Sequence, residues 1–262
     1  MSTASITAAT TMATACTATA PAFELCDVTL RYPGQTQPAL QQVNLSVPAD
    51  AICGLFGRNA AGKTSLMALL AAFRKPTSGT VRVWGEDPYE NPGIVPHVAF
   101  TSNSEGNNRF GGTYKVKLHL KLGAQFRPNW DQAFAQHLVE RFELPLNRTL
   151  NRLSLGQRAA LRCIVGLASR APLTIFDEAY LGMDAVFRQI FVDELLQDYL
   201  THPRTILFST HYIAEMERLF TEAVIIDQGR ILLHDDCDNL RAQGKPLQDI
   251  YISLALKEGE SI

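Results

Sequence analysis

Long apolar runs and an excess of either charge are what this sequence most clearly lacks. No stretch approaches the roughly 20 consecutive apolar residues that a membrane-spanning helix needs. Any action at a membrane therefore requires a separate membrane protein as partner. The 24 Lys and Arg residues nearly balance the 26 Asp and Glu residues, for a net charge of −2. Nucleic-acid binders normally carry a basic excess, so no nucleic-acid partner is expected.

Cysteines are few and are not arranged for metal binding. They form no C-x-x-C pair and no zinc-like spacing with histidine; the five are Cys16, Cys26, Cys53, Cys163 and Cys237. This pattern predicts reduced thiols in a cytoplasmic protein, mostly small core residues. The apolar fraction of 46% is ordinary for a chain that buries a core, and 262 residues leave room for one large domain.

The first 22 residues are rich in Ala and Thr and contain no Lys or Arg. Because a signal peptide carries basic residues before its apolar stretch, this segment is not predicted to be one. It also lacks hydrophobic periodicity, and we expect a disordered tail over residues 1–22. The folded domain is then expected to span residues 23–262.

The rest of the chain has the pattern of an α/β fold. Alternation from Phe23 onward and again around Leu45 predicts strands of an N-terminal β region. Short continuous apolar runs follow, with helical patterns between them, over residues 52–56, 173–176, 205–208 and 224–226. Buried strands that alternate with helices predict a mainly parallel sheet. Residues 104–170 show helical patterns without strands, which predicts a helical lobe inserted into this core.

One segment matches the phosphate-binding pattern G-x-x-x-x-G-K-[ST], and it stands between an apolar strand and a helix. It reads Gly57, Arg58, Asn59, Ala60, Ala61, Gly62, Lys63, Thr64. Successive backbone N–H groups and the helix N-terminus can surround phosphates there. Lys63 is then expected to reach the β- and γ-phosphates, and the Thr64 hydroxyl to bind Mg²⁺. The alternative is an ordinary glycine-rich turn between a strand and a helix.

Two carboxylates follow the apolar run at residues 173–176. Asp177 at the end of a strand beside a phosphate loop can hold Mg²⁺ together with Thr64 and water. The adjacent Glu178 can polarise the attacking water as a general base. Taken alone, such a pair is more often a solvated turn, and the phosphate loop upstream is what favours a catalytic role.

Two weaker signals lie downstream of the phosphate loop. Ser154 precedes a strong helical run, where it is expected to cap the helix or to start a second phosphate-binding helix. His211 follows a further apolar run, and a histidine there can contact a γ-phosphate. A single histidine is more often a polar loop residue, so this signal depends on the others.

In order and spacing these motifs resemble the ATP-binding cassette (ABC) family, the ATPase subunits of ABC transporters, over about residues 23–240. The resemblance implies a P-loop NTPase core with an N-terminal antiparallel β subdomain and an inserted α-helical lobe. It also implies a signature motif at Ser154, Gly156 and Gln157, a D-loop acid at Asp184 and a switch histidine at His211. Tyr32 falls where the family stacks an aromatic ring on adenine, and Ser65 completes the phosphate loop.

The sequence departs from the family pattern at several positions. Leu155 stands in the signature motif where glycine is usual, while Ala60 and Ala179 replace a common glycine and proline. The strand expected at residues 98–101 leads to no glutamine, and Asn103 is the nearest substitute for the family's Mg²⁺-contacting Q-loop residue. The resemblance thus implies ATP and Mg²⁺ as cofactors, with Asn103 as a shorter metal contact.

The resemblance also implies partners and a location. A chain with one phosphate loop and one signature motif is expected to form a head-to-tail homodimer or heterodimer with another ABC ATPase subunit. Its closure on ATP would drive a separate integral membrane permease at the inner face of the plasma membrane. The run from Asp177 to Asp184 looks most like bacterial single-domain exporter-type subunits. The alternatives are a soluble ABC-type ATPase acting on ribosomes or DNA, and a protein that only binds nucleotide, against which Glu178 and His211 argue.

Overall fold

The computed structural model describes residues 20–103, 112–242 and 244–259. The tail predicted over residues 1–22 therefore lies almost wholly outside the described residues. The first strand begins at Pro21, two residues before the predicted Phe23. The first part of the predicted helical lobe, residues 104–111, also lies outside them.

Nine strands are present in the described ranges. They are β1 (Pro21–Leu30), β2 (Leu40–Pro48), β3 (Ile52–Phe56), β4 (Ser78–Val83), β5 (Val98–Ser102), β6 (Leu173–Asp177), β7 (Thr205–Ser209), β8 (Glu222–Asp227) and β9 (Arg230–Asp236). All four predicted apolar runs are strands, and each of the central strands β3, β6 and β7 is buried along its whole length. Continuous burial explains why these runs do not alternate with polar residues.

The strands form two sheets, as the sequence predicts. In the small sheet, of order β2-β1-β4, both pairs are antiparallel. The large sheet has the order β5-β6-β7-β3-β8-β9, and every pair except β8–β9 is parallel. Parallel strands end at the same edge of a sheet, so the segments that follow β3, β5, β6 and β7 meet there.

Eight α-helices complete the described fold. They are α1 (Lys63–Leu70), α2 (Val116–Phe126), α3 (Gln132–Arg141), α4 (Leu155–Ala168), α5 (Ala185–Thr201), α6 (Ile213–Met216), α7 (Cys237–Ala242) and α8 (Leu247–Gly259). Between residues 112 and 170 the regular elements are helices, as predicted for the lobe. At the start of α3, the Asp131 side chain is the N-cap and accepts a hydrogen bond from the Phe134 N–H. Within the described ranges, no helix combines the length and the apolar character needed to cross a bilayer.

Candidate functional site

The phosphate-loop motif occupies the turn between β3 and α1. Gly62, which caps α1, has a φ of 113°, and a Cβ added there would lie 2.8 Å from the Ala39 carbonyl oxygen. Ala60 also has a left-handed φ of 64°. Glycine adopts such backbone without strain and leaves room for the neighbouring chain. The loop and the start of α1 line one open cleft, and the backbone N–H groups and helix N-terminus of such a turn are able to bind phosphate.

Lys63 is buried under the loop and points back into it. Its Nζ donates to the carbonyl oxygens of Gly57, at 2.7 Å, and Arg58, at 3.0 Å. Burial lowers the pKa of Lys63, while the nearby carboxylates of Glu178 and Asp177 oppose that shift. The ammonium is therefore held among carbonyl oxygens next to the place that a phosphate would occupy.

Thr64 and Asp177 come together although 113 residues separate them. The Thr64 Oγ1 donates to Asp177 Oδ2 at 2.9 Å. The Asp177 carboxyl group is buried, and this burial raises its pKa; the charge of Glu178 adds to the rise, while the Thr64 hydrogen bond and the Lys63 charge oppose it. A hydroxyl and a carboxylate supply oxygen ligands of the kind that Mg²⁺ prefers. The structure therefore brings the two predicted residues into contact, and their binding of Mg²⁺ remains a prediction.

Glu178 and His211 form the second polar pair of the site. His211 Nε2 lies 2.7 Å from Glu178 Oε1, and both side chains are partly exposed. Glu178 has a left-handed φ of 50°, and its N–H donates to the Ser209 carbonyl oxygen at the end of β7. The structure thus brings the predicted base and the predicted histidine into direct contact with each other. A carboxylate fixed in this way at the sheet edge can act on a water molecule.

A cleft of about 560 Å³ adjoins these residues. Its lining includes most of the phosphate-loop residues predicted for ATP binding, together with Glu178; the loop residues are Asn59, Ala60, Ala61, Gly62, Lys63, Thr64 and Ser65. Tyr32 lies across the cleft, with its hydroxyl 3.2 Å from Ser65 Oγ and its ring under the Arg74 guanidinium. The same lining includes residues after Tyr32 that the sequence did not single out, among them Gln35 and Pro38.

The signature residues do not line this cleft. Ser154 caps α4 in a capping box, in which Ser154 Oγ accepts from the Gln157 N–H and Gln157 Oε1 from the Ser154 N–H, both at 3.1 Å. A Cβ at Gly156 would lie 3.2 Å from the Gly182 carbonyl oxygen. Asp184 likewise caps α5 by accepting from the Phe187 N–H. The N-cap expectation for Ser154 is correct, and its phosphate contact remains a prediction.

Asn103 directly follows the last residue of β5, but its side chain forms a hydrogen bond with Arg162. Asn103 Oδ1 accepts from Arg162 at 2.8 Å. The preceding Ser102 has its Oγ 3.5 Å from Asp177 Oδ2, so this hydroxyl is the group from β5 that approaches the predicted metal position. Ser102 carries no signal in the sequence, since a hydroxyl side chain does not resemble the glutamine expected after this strand.

Comparisons with known proteins identify relatives of this chain. The family model described as ABC transporter matches residues 40–181, more than half of the chain. The taurine import ATP-binding protein TauB of Chromobacterium violaceum is 32% identical over 209 residues, which are 77% of each protein. The ABC transporter ATP-binding protein YtrB of Bacillus subtilis is 25% identical over 84% of this chain and 75% of its own length.

Solved structures show the same fold. The structure described as an ATP binding subunit of an ABC transporter has a TM-score of 0.75 at 23% identity, covering 88% of this chain and 98% of its own. A dimeric post-hydrolysis state of the ATP-binding cassette MJ0796 with ADP and Pi has a TM-score of 0.71 at 17% identity, with 82% and 98% covered. With the family model and the TauB identity, these findings show that the chain belongs to the ABC transporter family, as an ATP-hydrolysing subunit.

Proposed function

We propose that this chain hydrolyses Mg²⁺-ATP in the cleft beside residues 57–64 and drives a separate integral membrane permease by closing as a head-to-tail dimer. The observation that supports it most strongly is the 2.9 Å bond between Thr64 Oγ1 and Asp177 Oδ2 at the mouth of the phosphate loop. These two oxygens, with the Ser102 hydroxyl 3.5 Å from the same carboxylate, fit Mg²⁺. Bound there, Mg²⁺ would neutralise charge on the β- and γ-phosphates.

The residues of this chain have separate tasks in the proposed reaction. Lys63 exchanges its carbonyl partners in the loop for phosphate oxygens when ATP enters. Glu178 accepts a proton from the attacking water, and His211 keeps its carboxylate oriented through the 2.7 Å contact. Tyr32 supports the adenine ring, as base–aromatic stacking does in other proteins.

A second subunit supplies the remaining phosphate contacts in this proposal. Ser154 is exposed at the start of α4, and Leu155 beside it is 67% exposed. The N-terminus of a helix attracts anions, and this one is not part of the cleft of its own chain. Docking Ser154, Gly156 and Gln157 onto the ATP of another copy, or of a related subunit, completes the site. Asp184 then lies at the same interface.

Membership of the ABC transporter family supports the proposed permease partner and the proposed location. The chain would act at the cytoplasmic side of the plasma membrane, held there by a permease that also sets the substrate. Purification of the tagged chain from membranes, followed by identification of bound proteins, tests this. Recovery of a protein with several membrane-spanning helices is the expected result. Recovery of ribosomes or DNA without such a protein would favour the soluble ABC ATPases instead.

The catalytic assignment is tested by replacing Glu178 with Gln, which keeps the shape but removes the base. We expect ATP turnover to fall by about 10²- to 10⁴-fold, the usual effect of losing a general base, with ATP affinity retained. Glu143→Gln is the matched control, because Glu143 is also a glutamate in left-handed backbone (φ 49°) but is exposed and outside the cleft. Normal turnover in Glu178→Gln would assign the base to another residue.

A further inference from the structure

Arg162, in the middle of α4, connects three parts of the candidate site. Its Nε donates to the Ala179 carbonyl oxygen at 2.9 Å. Its Nη2 donates to Asn103 Oδ1 at 2.8 Å and lies 3.4 Å from the Leu181 carbonyl oxygen. One rigid guanidinium therefore ties α4 to the segment after β6 and to the end of β5.

The guanidinium of Arg162 is held by uncharged acceptors. All three oxygens are neutral, and the ion pairs found among the described residues do not include Arg162. Its burial lowers the pKa of the guanidinium. A half-buried charge that relies on neutral acceptors is costly to keep, and three aligned N–H···O contacts are what compensate for this cost.

Two of the oxygens that Arg162 binds belong to residues close to Glu178. Ala179 directly follows Glu178, whose left-handed φ of 50° is a strained conformation for a residue with a side chain. Such backbone persists only where the surroundings hold it. Asn103 contacts Asp177, the residue before Glu178: the Asn103 N–H donates to the Asp177 carbonyl oxygen at 3.1 Å. Arg162 thus holds both neighbours of Glu178: it binds the Ala179 carbonyl oxygen directly and reaches Asp177 through Asn103.

We propose that Arg162 is a positioning residue, which holds Glu178 in its working orientation and makes that orientation depend on Asn103. The proposal rests on the general-base role of Glu178. It predicts that the chemical step depends on Arg162 and ATP binding does not, because Arg162 lies outside the cleft lining. Since Arg162 also belongs to the helix that Ser154 caps, movement of α4 would be passed to the segment after Glu178.

Arg162→Met removes every donor while keeping a long apolar side chain. We expect kcat for ATP hydrolysis to fall by about 10- to 100-fold, as misplacement of a catalytic group does, with KM for ATP within about twofold of the wild type. Arg162→Lys should restore part of kcat, because one ammonium can reach a carbonyl oxygen but cannot replace the planar fork.

The matched control is Arg127→Met. Arg127 is also an arginine whose burial lowers its pKa, and its Nη1 donates to the carbonyl oxygen of Val98 at the opposite end of β5. Both variants lose a half-buried arginine, so a purely structural effect should lower both melting temperatures. Only Arg162→Met should lower kcat.

Asn103→Ala keeps the inference testable if Arg162→Met does not fold. It removes the amide acceptor alone, and we expect a smaller loss of kcat, about threefold or more, again without a change in KM. Combined with Arg162→Met, it should add no further loss, since Arg162→Met already breaks the one contact that Asn103→Ala removes. Unchanged kcat in Asn103→Ala, unchanged kcat in Arg162→Met, or an equal loss in Arg127→Met would each overturn the inference.

Glu178→Gln separates this inference from the proposed function. If Glu178→Gln retains full turnover, the role of Glu178 fails whatever the arginine variants do, and the inference fails with it. If Glu178→Gln is inactive while Arg162→Met is fully active, the proposed function stands and only the positioning role of Arg162 fails.

Discussion

At the scale of single residues, two buried aspartates show how differently the fold treats the same side chain. Asp198 is paired with Arg170 at 2.9 Å and Arg204 at 2.8 Å. Among the described residues no cation forms such an ion pair with Asp177; its carboxylate accepts from the Thr64 hydroxyl, and burial raises its pKa. In the nucleotide-free protein, the charge of Asp177 is therefore a cost that a bound cation would offset.

Replacing Asp177 with Asn should stabilise the nucleotide-free protein and abolish Mg²⁺-dependent hydrolysis. An acid whose pKa is raised by folding destabilises the folded state once the pH exceeds the pKa of the unfolded chain. The melting temperature of Asp177→Asn should therefore exceed that of the wild type at neutral pH. The difference should shrink as the pH falls through the raised pKa of Asp177.

Asp198→Asn is the contrasting variant, measured by the same thermal unfolding. Removing one partner of a buried ion pair typically costs about 3–5 kcal/mol, so the melting temperature should drop. Equal losses of stability in Asp177→Asn and Asp198→Asn would show that Asp177 is an ordinary structural carboxylate.

At the scale of elements, the strands and the strand ends were largely predictable from sequence. Short apolar runs such as residues 173–176 identify buried strands because both faces of a parallel sheet are covered. The convergence of Thr64, Asp177 and Glu178 followed from topology, since parallel strands end at one edge. The strand β4 and the helix α8 were not predicted, because their patterns are weak and their positions depend on packing between distant segments.

The side-chain links of the site were beyond prediction for a related reason. Asn103 was expected to reach a metal, but its amide lies against Arg162, which is 59 residues away in sequence. Neither a motif nor a spacing connects these two positions. Only the packing of α4 against β5 and β6 brings them together, and sequence periodicity contains no information on such partners.

The phosphate loop is the element whose backbone geometry can be tested directly. Gly62→Ala would place a Cβ 2.8 Å from the Ala39 carbonyl oxygen in backbone with a φ of 113°. We expect the shifted loop to lose ATP affinity by about tenfold or more, because its N–H groups no longer converge. Isothermal titration with ATP measures this loss.

Gly85→Ala is the control for this change. Gly85 also has a positive φ, of 82°, but lies outside the cleft lining, and an added Cβ would meet no atom within 4 Å. It therefore shares the backbone strain without the collision. Equal affinity for ATP in the Gly62→Ala and wild-type proteins would show that residues 57–64 do not form the nucleotide site.

At the scale of the whole molecule, the two groups of candidate ATP contacts occupy different places on one chain. The phosphate loop lines the cleft, whereas Ser154 and its neighbours form the exposed start of α4. One copy alone therefore does not surround a nucleotide with both groups. Head-to-tail pairing of two subunits is the arrangement that resolves this separation, and it is the central claim of the proposed mechanism.

Size-exclusion chromatography of Glu178→Gln with Mg²⁺-free ATP tests that claim most directly. Because this variant is expected to bind ATP without hydrolysing it, ATP should hold the closed dimer together. Adding Ser154→Arg should return the protein to a monomer, since a long side chain then occupies the second phosphate contact. A dimer with Glu178→Gln and a monomer with the double variant are the predicted results. A monomer in both cases, with ATP bound and the membrane partner present, would contradict the shared-site mechanism.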